Sequence, residues 1–159
     1  MTIVQVHDAD RKAQIASDVL YDLPEWFGVP DSTKEYIEHS KKLSLWAAER
    51  NNEAVGFITL TDTSPDTAQI HCMGVKKAFH RFGIGSLLYS TLEAFAKTKY
   101  KFIQVKTVDE GKYKEYDQTI GFYKKMGFSK FEVFPAFWDE WNPCLVMVKS
   151  LAENKNDEK

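Results

Sequence analysis

Val75-Lys76-Lys77-Ala78-Phe79-His80-Arg81-Phe82-Gly83-Ile84-Gly85-Ser86 is the stretch on which the fold of this chain turns. Before it, Ala68 to Val75 alternates apolar and polar residues as a strand does. After it, Ile84, Leu87, Leu88, Leu92 and Phe95 recur on one helical face. A strand therefore ends, a loop turns, and two glycines open a helix. The first turn of a helix has amides without internal acceptors and a partial positive charge. Glycine there lets the backbone approach an anion closely. The expected ligand is a pyrophosphate, held by successive amides of Arg81, Phe82, Gly83, Ile84, Gly85 and Ser86, with Lys76, Lys77 and Arg81 adding charge at the rim. A plain strand-to-helix turn without a ligand is the alternative this motif leaves open. A Walker loop is excluded, because no Gly-Lys-Ser/Thr follows. A dinucleotide fingerprint would follow the first strand of a parallel unit, whereas this turn follows hairpins.

Outward from the turn, the other elements can be read from pattern. Thr2 to Val6 alternates as a short strand, and from Asp8 the period turns helical, with Ala13, Ala16 and Leu20 on one face. Pro24 and Gly28 bound an aromatic loop, Glu25-Trp26-Phe27, and the spacing of Ser32 to Glu35 predicts a capping box opening a second helix. Leu43 to Arg50 and Glu53 to Thr61 read as strands joined by Asn51-Asn52, a residue type that tolerates positive φ in tight hairpins. Asp62 to Asp66 reads as a second turn. Downstream, Lys101 to Val108 is a strand. Thr119, Phe122, Tyr123 and Met126 form a helical stripe that stops at Gly127. Phe128 to Phe134 and Cys144 to Lys149 read as closing strands around a long aromatic loop. The order β-α-α-β-β-β-α-β-α-β-β predicts one α/β domain over residues 1–151, with a mixed central sheet of about seven strands and four helices. A polar tail, 152–159, is expected to be disordered.

The bulk numbers narrow the function classes. The 159 residues carry a formal net charge of −2, too balanced to make nucleic acid or an anionic membrane the main partner. A hydrophobic fraction of 43% and an aromatic fraction of 14% give enough apolar surface for a core. The two cysteines, Cys72 and Cys144, lie in apolar runs without metal-ligand spacing, and read as buried thiols in a reducing compartment. No metal site is expected. Met1 to Asp10 has no apolar core of a signal peptide, so the expected location is cytoplasmic.

His80-Arg81-Phe82-Gly83-Ile84-Gly85 resembles the Arg/Gln-x-x-Gly-x-Gly/Ala motif of the GNAT superfamily of N-acetyltransferases, with histidine in the first place. Phe122-Tyr123-Lys124-Lys125-Met126-Gly127-Phe128 is similar to a second family signature, on the last helix and the strand after it. The segment Trp138 to Leu145 also looks like that of small bacterial members. The similarity covers Leu43 to Lys149 well and the first two helices loosely. It implies acetyl-CoA as donor and an amine as acceptor. The pantetheine arm would lie where the fourth and fifth strands part, pairing with the backbone of Met73-Gly74-Val75, and Gly74 would suit a bulge that presents an amide to the thioester carbonyl, or else relieve crowding.

In that frame Tyr123 matches the family's tyrosine that protonates the departing thiolate. His71 stands where some members have a histidine base, and an ordered water is the alternative. Gln69 replaces a glutamate base found in others, and glutamine cannot take a proton. Tyr116 occupies the place of an asparagine that often contacts CoA. His7 and His39 fall on expected surface positions without a role. Trp26, Phe27, Tyr36, Phe134, Phe137, Trp138 and Trp141, interleaved with Glu25, Asp139 and Glu140, would suit a small cationic amine, or else cap the core or a dimer contact. The acceptor is a small-molecule or peptide amine, with a homodimer left open. A non-catalytic acyl-CoA binder of the same fold is the competing function.

Overall fold

The computed structural model describes residues 1–152; the expected tail lies, from residue 153 on, outside them. The elements are β1 (Thr2–Val6), α1 (Ala9–Leu20), α2 (Pro30–Ser40), β2 (Ser44–Arg50), β3 (Glu53–Ser64), β4 (Thr67–Val75), α3 (Ile84–Ala96), β5 (Phe102–Val108), α4 (Lys114–Lys125), β6 (Ser129–Phe134) and β7 (Cys144–Ser150). A short 3-10 turn, Lys77–Phe79, precedes α3. The fold is α/β, with a mixed seven-stranded sheet in the order β1-β2-β3-β4-β5-β7-β6 and four helices, as the pattern predicts. Among the described residues, no helix is long and apolar enough to cross a membrane.

The chain forms two compact units. The first holds Met1–Thr61 and Ile70–Leu92. Asp8 caps α1 by accepting from the Arg11 amide at 2.8 Å, an interaction whose loss typically costs about 1 kcal/mol. Ile15, Ala16, Val19, Leu20 and Leu23 form a core with Leu45, Ala47, Phe57 and Cys72. Asn51 and Asn52 take φ of 52° and 63°, so the hairpin joining β2 to β3 turns where asparagine tolerates it. The predicted capping box does not form. Pro30 opens α2 two residues earlier, because its fixed φ and missing N–H suit the first helical position, and Val29 is the cap without a side-chain bond.

Gly74 on β4 faces α1 at close range. A Cβ there would lie 2.9 Å from Leu23 Cδ1 and 3.1 Å from Val19 Cγ1. The glycine is therefore what lets α1 settle on this strand. On α3, Ile84, Leu88, Tyr89, Leu92 and Ala96 are buried while Leu87 is 48% exposed, so the apolar stripe runs one position away from the predicted Leu87.

The second unit holds Asp62–Gln69 and the chain from Glu93. The predicted turn at 62–66 is shorter than expected. β3 continues to Ser64 and the reversal takes only Pro65 and Asp66, with Ser64 Oγ accepting from the amides of Asp66 and Thr67. β5 pairs antiparallel with β7, and β7 with β6, whose register shifts between Lys130 and Glu132. Ile103, Val105, Ile120, Tyr123, Phe128, Leu145 and Met147 are buried. α4 ends where Gly127 takes φ of 99°, and Lys149 Nζ donates to the Met126 carbonyl at 2.8 Å.

Gly74→Val should lower the melting temperature of the protein, at a cost of about 1–3 kcal/mol for overpacking α1 on β4. Thermal unfolding by circular dichroism measures it, and an unchanged transition would show that α1 does not need the space.

Candidate active site

The site is best built from the end of β4. Lys76 N donates to Val55 O at 2.8 Å, so pairing with β3 holds the strand to its last residue. The chain then turns, and the His80 ring bonds through Nε2 to the Val75 carbonyl at 2.5 Å while its edge meets Trp26 with ring centroids 5.8 Å apart. Because a carbonyl only accepts, Nε2 carries the proton. His80 is thus a strut across the turn, a role that its place in the sequence motif does not reveal.

Beyond the strut, Arg81 and Gly83 take φ of 70° and 77°. Nothing lies within 4 Å of a Cβ built on Gly83, so glycine is chosen here for its φ and not for space. Arg81 adopts the same left-handed region with a side chain, which is strained backbone of the kind that clusters at ligand-holding turns. Leu87 is the first residue of α3 whose amide closes onto a backbone carbonyl, that of Gly83 at 3.1 Å. The first turn of α3 contains no acidic residue. The segment 81–86 therefore presents amides and a positive dipole end, with no carboxylate of its own to occupy them, and fits a pyrophosphate. Phe82, 73% exposed, lines an open pocket of about 220 Å³ with Met1, Arg50, Phe79, Ile84 and Leu87.

The expected basic rim is smaller than the sequence implies. Lys76 pairs with Glu53 at 3.2 Å and Lys77 with Glu25 at 2.7 Å, and the Lys77 amide donates to Asp22 Oδ2 at 2.7 Å. Both lysines brace the turn, Lys77 against the loop after α1 and Lys76 against β3. Among the predicted three, Arg81 is the cation not engaged this way. Glu25, expected on the acceptor side, is engaged by Lys77. The hydrogen bond from Lys77 holds its carboxyl below the ordinary value, and Glu25 holds the Lys77 ammonium above its own.

His71, on β4, lies against two rings of α2: Tyr36 at 5.4 Å and His39 at 5.5 Å between centroids. Phe27 packs edge-on against Tyr36 at 5.9 Å. His39 is exposed, as its sequence position predicts, but its ring borders the candidate base. The helical spacing of Tyr36 to His39 was legible, whereas their meeting with β4 is a tertiary contact without a sequence signal. Met73 and Val75 are half-buried and alternate with buried Cys72 and Gly74. Burial pushes the Cys72 thiol far above its ordinary value, which makes it an inert core group.

In the second unit, Tyr123 is 4% exposed, flanked by Phe122 at 5.3 Å and Phe128 at 5.5 Å between centroids. Tyr116 meets Tyr113 edge-on at 5.8 Å. Phe134 meets Phe137 at a tilt and Phe137 meets Trp138 edge-on, and Trp141 is 71% exposed. In this loop Asp139 accepts from Asn142 Nδ2 and from the amides of Trp141 and Asn142. These bonds, Asn142's side chain first, hold its carboxyl below the ordinary value. Of the predicted aromatic set, Trp26, Phe27 and Tyr36 belong to the first unit and Phe134, Phe137, Trp138 and Trp141 to the second. Gln69 carries a feature the sequence did not reveal: its Oε1 accepts from Gln104 Nε2 at 2.8 Å and from Lys106 Nζ at 3.0 Å.

The model of the acetyltransferase (GNAT) family matches residues 14–128. No curated protein matches the sequence at a significant level. Among solved structures, the chain is similar to a protein described as an acetyltransferase of the GNAT family from Desulfovibrio desulfuricans, at 15% identity and a TM-score of 0.82, over 95% of this chain and 100% of that one. It is also similar to the aminoglycoside 6'-N-acetyltransferase of Enterococcus faecium, at 22% identity and a TM-score of 0.75, over 97% and 99%. A third is a GNAT family acetyltransferase from Elizabethkingia anophelis with acetyl-CoA bound, at 20% identity and a TM-score of 0.66, over 84% and 89%. At these identities the likeness shows a shared fold.

The Glu25–Lys77 pair makes a pH prediction. A carboxylate whose folded pKa is depressed stabilises the fold above its unfolded value and loses that contribution as pH falls through the folded one. The window is thus at and below the ordinary 4.5 of Glu25. Both groups are exposed, so the effect on stability should be small and screened by salt. Carboxyl-carbon NMR should find Glu25 titrating below 4.5, and returning toward it in Lys77→Met.

Proposed function

This chain belongs to the acetyltransferase (GNAT) family, and on that footing we propose that it transfers an acetyl group from acetyl-CoA to an amine by direct attack on the thioester. The observation that carries the reading is the mouth of α3: Arg81 and Gly83 in left-handed backbone, and a first turn without an acid. The neighbour with acetyl-CoA bound supports the choice of donor.

Acetyl-CoA supplies an activated acyl carbon, whose bond to sulfur breaks as the bond to nitrogen forms. The amides of Arg81 to Ser86 hold the paired phosphates, and the Arg81 side chain adds charge. The backbone of Met73, Gly74 and Val75 is assigned to the pantetheine arm and to the thioester carbonyl, where an aimed N–H stabilises developing negative charge. His80 serves this site indirectly, by fixing the Val75 carbonyl and the direction in which the chain leaves the strand.

Two protons must move. An alkyl amine with the pKa of lysine is neutral in only about one molecule per thousand at pH 7, so the acceptor must lose one. His71 takes it, directly or through water; imidazole has a reference pKa of ~6.5, which suits the task. Tyr123 gives the second proton to the thiolate leaving group.

Purified protein given acetyl-CoA and a panel of amines should release CoA thiol with at least one of them. Binding of CoA without turnover on any amine would instead make the chain an acyl-CoA-binding module. Tyr123→Phe should lower kcat about a hundredfold, with the KM for acetyl-CoA nearly unchanged. His71→Ala should remove an ionisation near neutral pH from the rate profile; an unaltered profile would assign the base to water alone.

A further inference from the structure

Lys106 has an unusual setting for a lysine. It sits on β5 in the second unit, half-buried, with Nζ 3.0 Å from Gln69 Oε1 and 5.4 Å from the centre of the Phe137 ring. Among the described residues it takes part in no ion pair, although eight others are formed. Neither Asp139 nor Glu140, the acids of the loop that carries Phe137, forms an ion pair with it among the described residues. A cation taken partly out of water normally finds a carboxylate. This one has a neutral carbonyl and a ring face.

The orientation of the cluster follows from chemistry. An ammonium only donates, so Gln69 must present its oxygen, and Gln104, bonded to the same oxygen at 2.8 Å, must present its nitrogen. Gln69 and Gln104 thereby hold Lys106 in place without neutralising it. The ammonium has three N–H donors. Gln69 takes one and the face of Phe137 attracts the charge, which leaves donor capacity for an incoming anion. Gln69 cannot act as a base, and in this arrangement it is a positioning residue for a positive charge.

We propose that Lys106, set by Gln69 and Phe137, is a carboxylate subsite of the acceptor pocket, so that the preferred acceptor is an amine that also bears a carboxylate, as an amino acid or a peptide does. The inference rests on the acetyl-transfer reading above. It also reverses the expectation of a purely cationic acceptor: an uncompensated ammonium repels polyamines and other polycationic amines.

The test compares acceptors that differ by one carboxylate. With acetyl-CoA, kcat/KM for phenylalanine should exceed that for phenethylamine by about tenfold or more, the scale of one charge-assisted hydrogen bond, and spermine should be poor. In Lys106→Met the preference should vanish through a raised KM with kcat kept, while Lys106→Arg should retain part of it. A binding arm separates this inference from the reading it rests on. N-Acetylphenylalanine and N-acetylphenethylamine are titrated with CoA present, following tryptophan fluorescence. Tighter binding of the carboxylate compound to the wild type, lost in Lys106→Met, supports the subsite even if no amine is turned over. Equal binding of the two, or none, overturns it, as does turnover that favours phenethylamine or spermine. Circular dichroism of each variant confirms that it is folded.

Discussion

A helix cannot satisfy its own first amides, and in this protein that constraint falls where β4 gives way to α3. Arg81 and Gly83 take the left-handed backbone the turn requires, the His80 ring bolts it to the Val75 carbonyl at 2.5 Å, and no acid of the first turn of α3 caps it. The amides then point to where an anion would lie. The elements of the first unit serve this geometry. β3 pairs with the end of β4 through Lys76 and Val55, and α1 reaches β4 because Gly74 has no side chain to hold it off.

Charge is distributed with the same economy. Lys76, Lys77, Glu25 and Asp139 would all pass for functional charges in a sequence, yet each is taken up locally, in a brace across the turn or in a loop. Such exposed pairs add little stability individually. Their effect is on selection of geometry: Lys77 joins the chain after β4 to the loop after α1 through both its amide and its ammonium. Arg81 in the first unit and Lys106 in the second take part in no ion pair among the described residues, and they frame both proposed roles, phosphates at one and a carboxylate at the other.

The order of elements, the family and the strand-to-helix turn with its glycine were all legible in the chain itself, because each is encoded locally. A period of two that changes to one of 3.6 marks strand and helix. Asn51-Asn52 specifies its own hairpin, and Gly83 its own positive φ. Two motifs in the right order name a family without any long-range contact. Local signals misled where two of them competed. Ser32 and Glu35 have the capping spacing, but Pro30 opens the helix first. Leu87 shares the apolar character of its neighbours, yet the helix turns it to solvent.

What only the tertiary structure decided is which side chains meet. His71 acquires His39 and Tyr36 as neighbours, Gly74 acquires α1, His80 becomes a strut, and Gln69 becomes a holder for Lys106. Each partnership joins residues from distant points of the chain, between which neither periodicity nor a local motif carries information. Sequence alone determined where the backbone turns, since that depends on dihedral preferences within a few residues. Which charges remain free to recognise a substrate depends on the pairings that folding makes, and only the folded chain shows them.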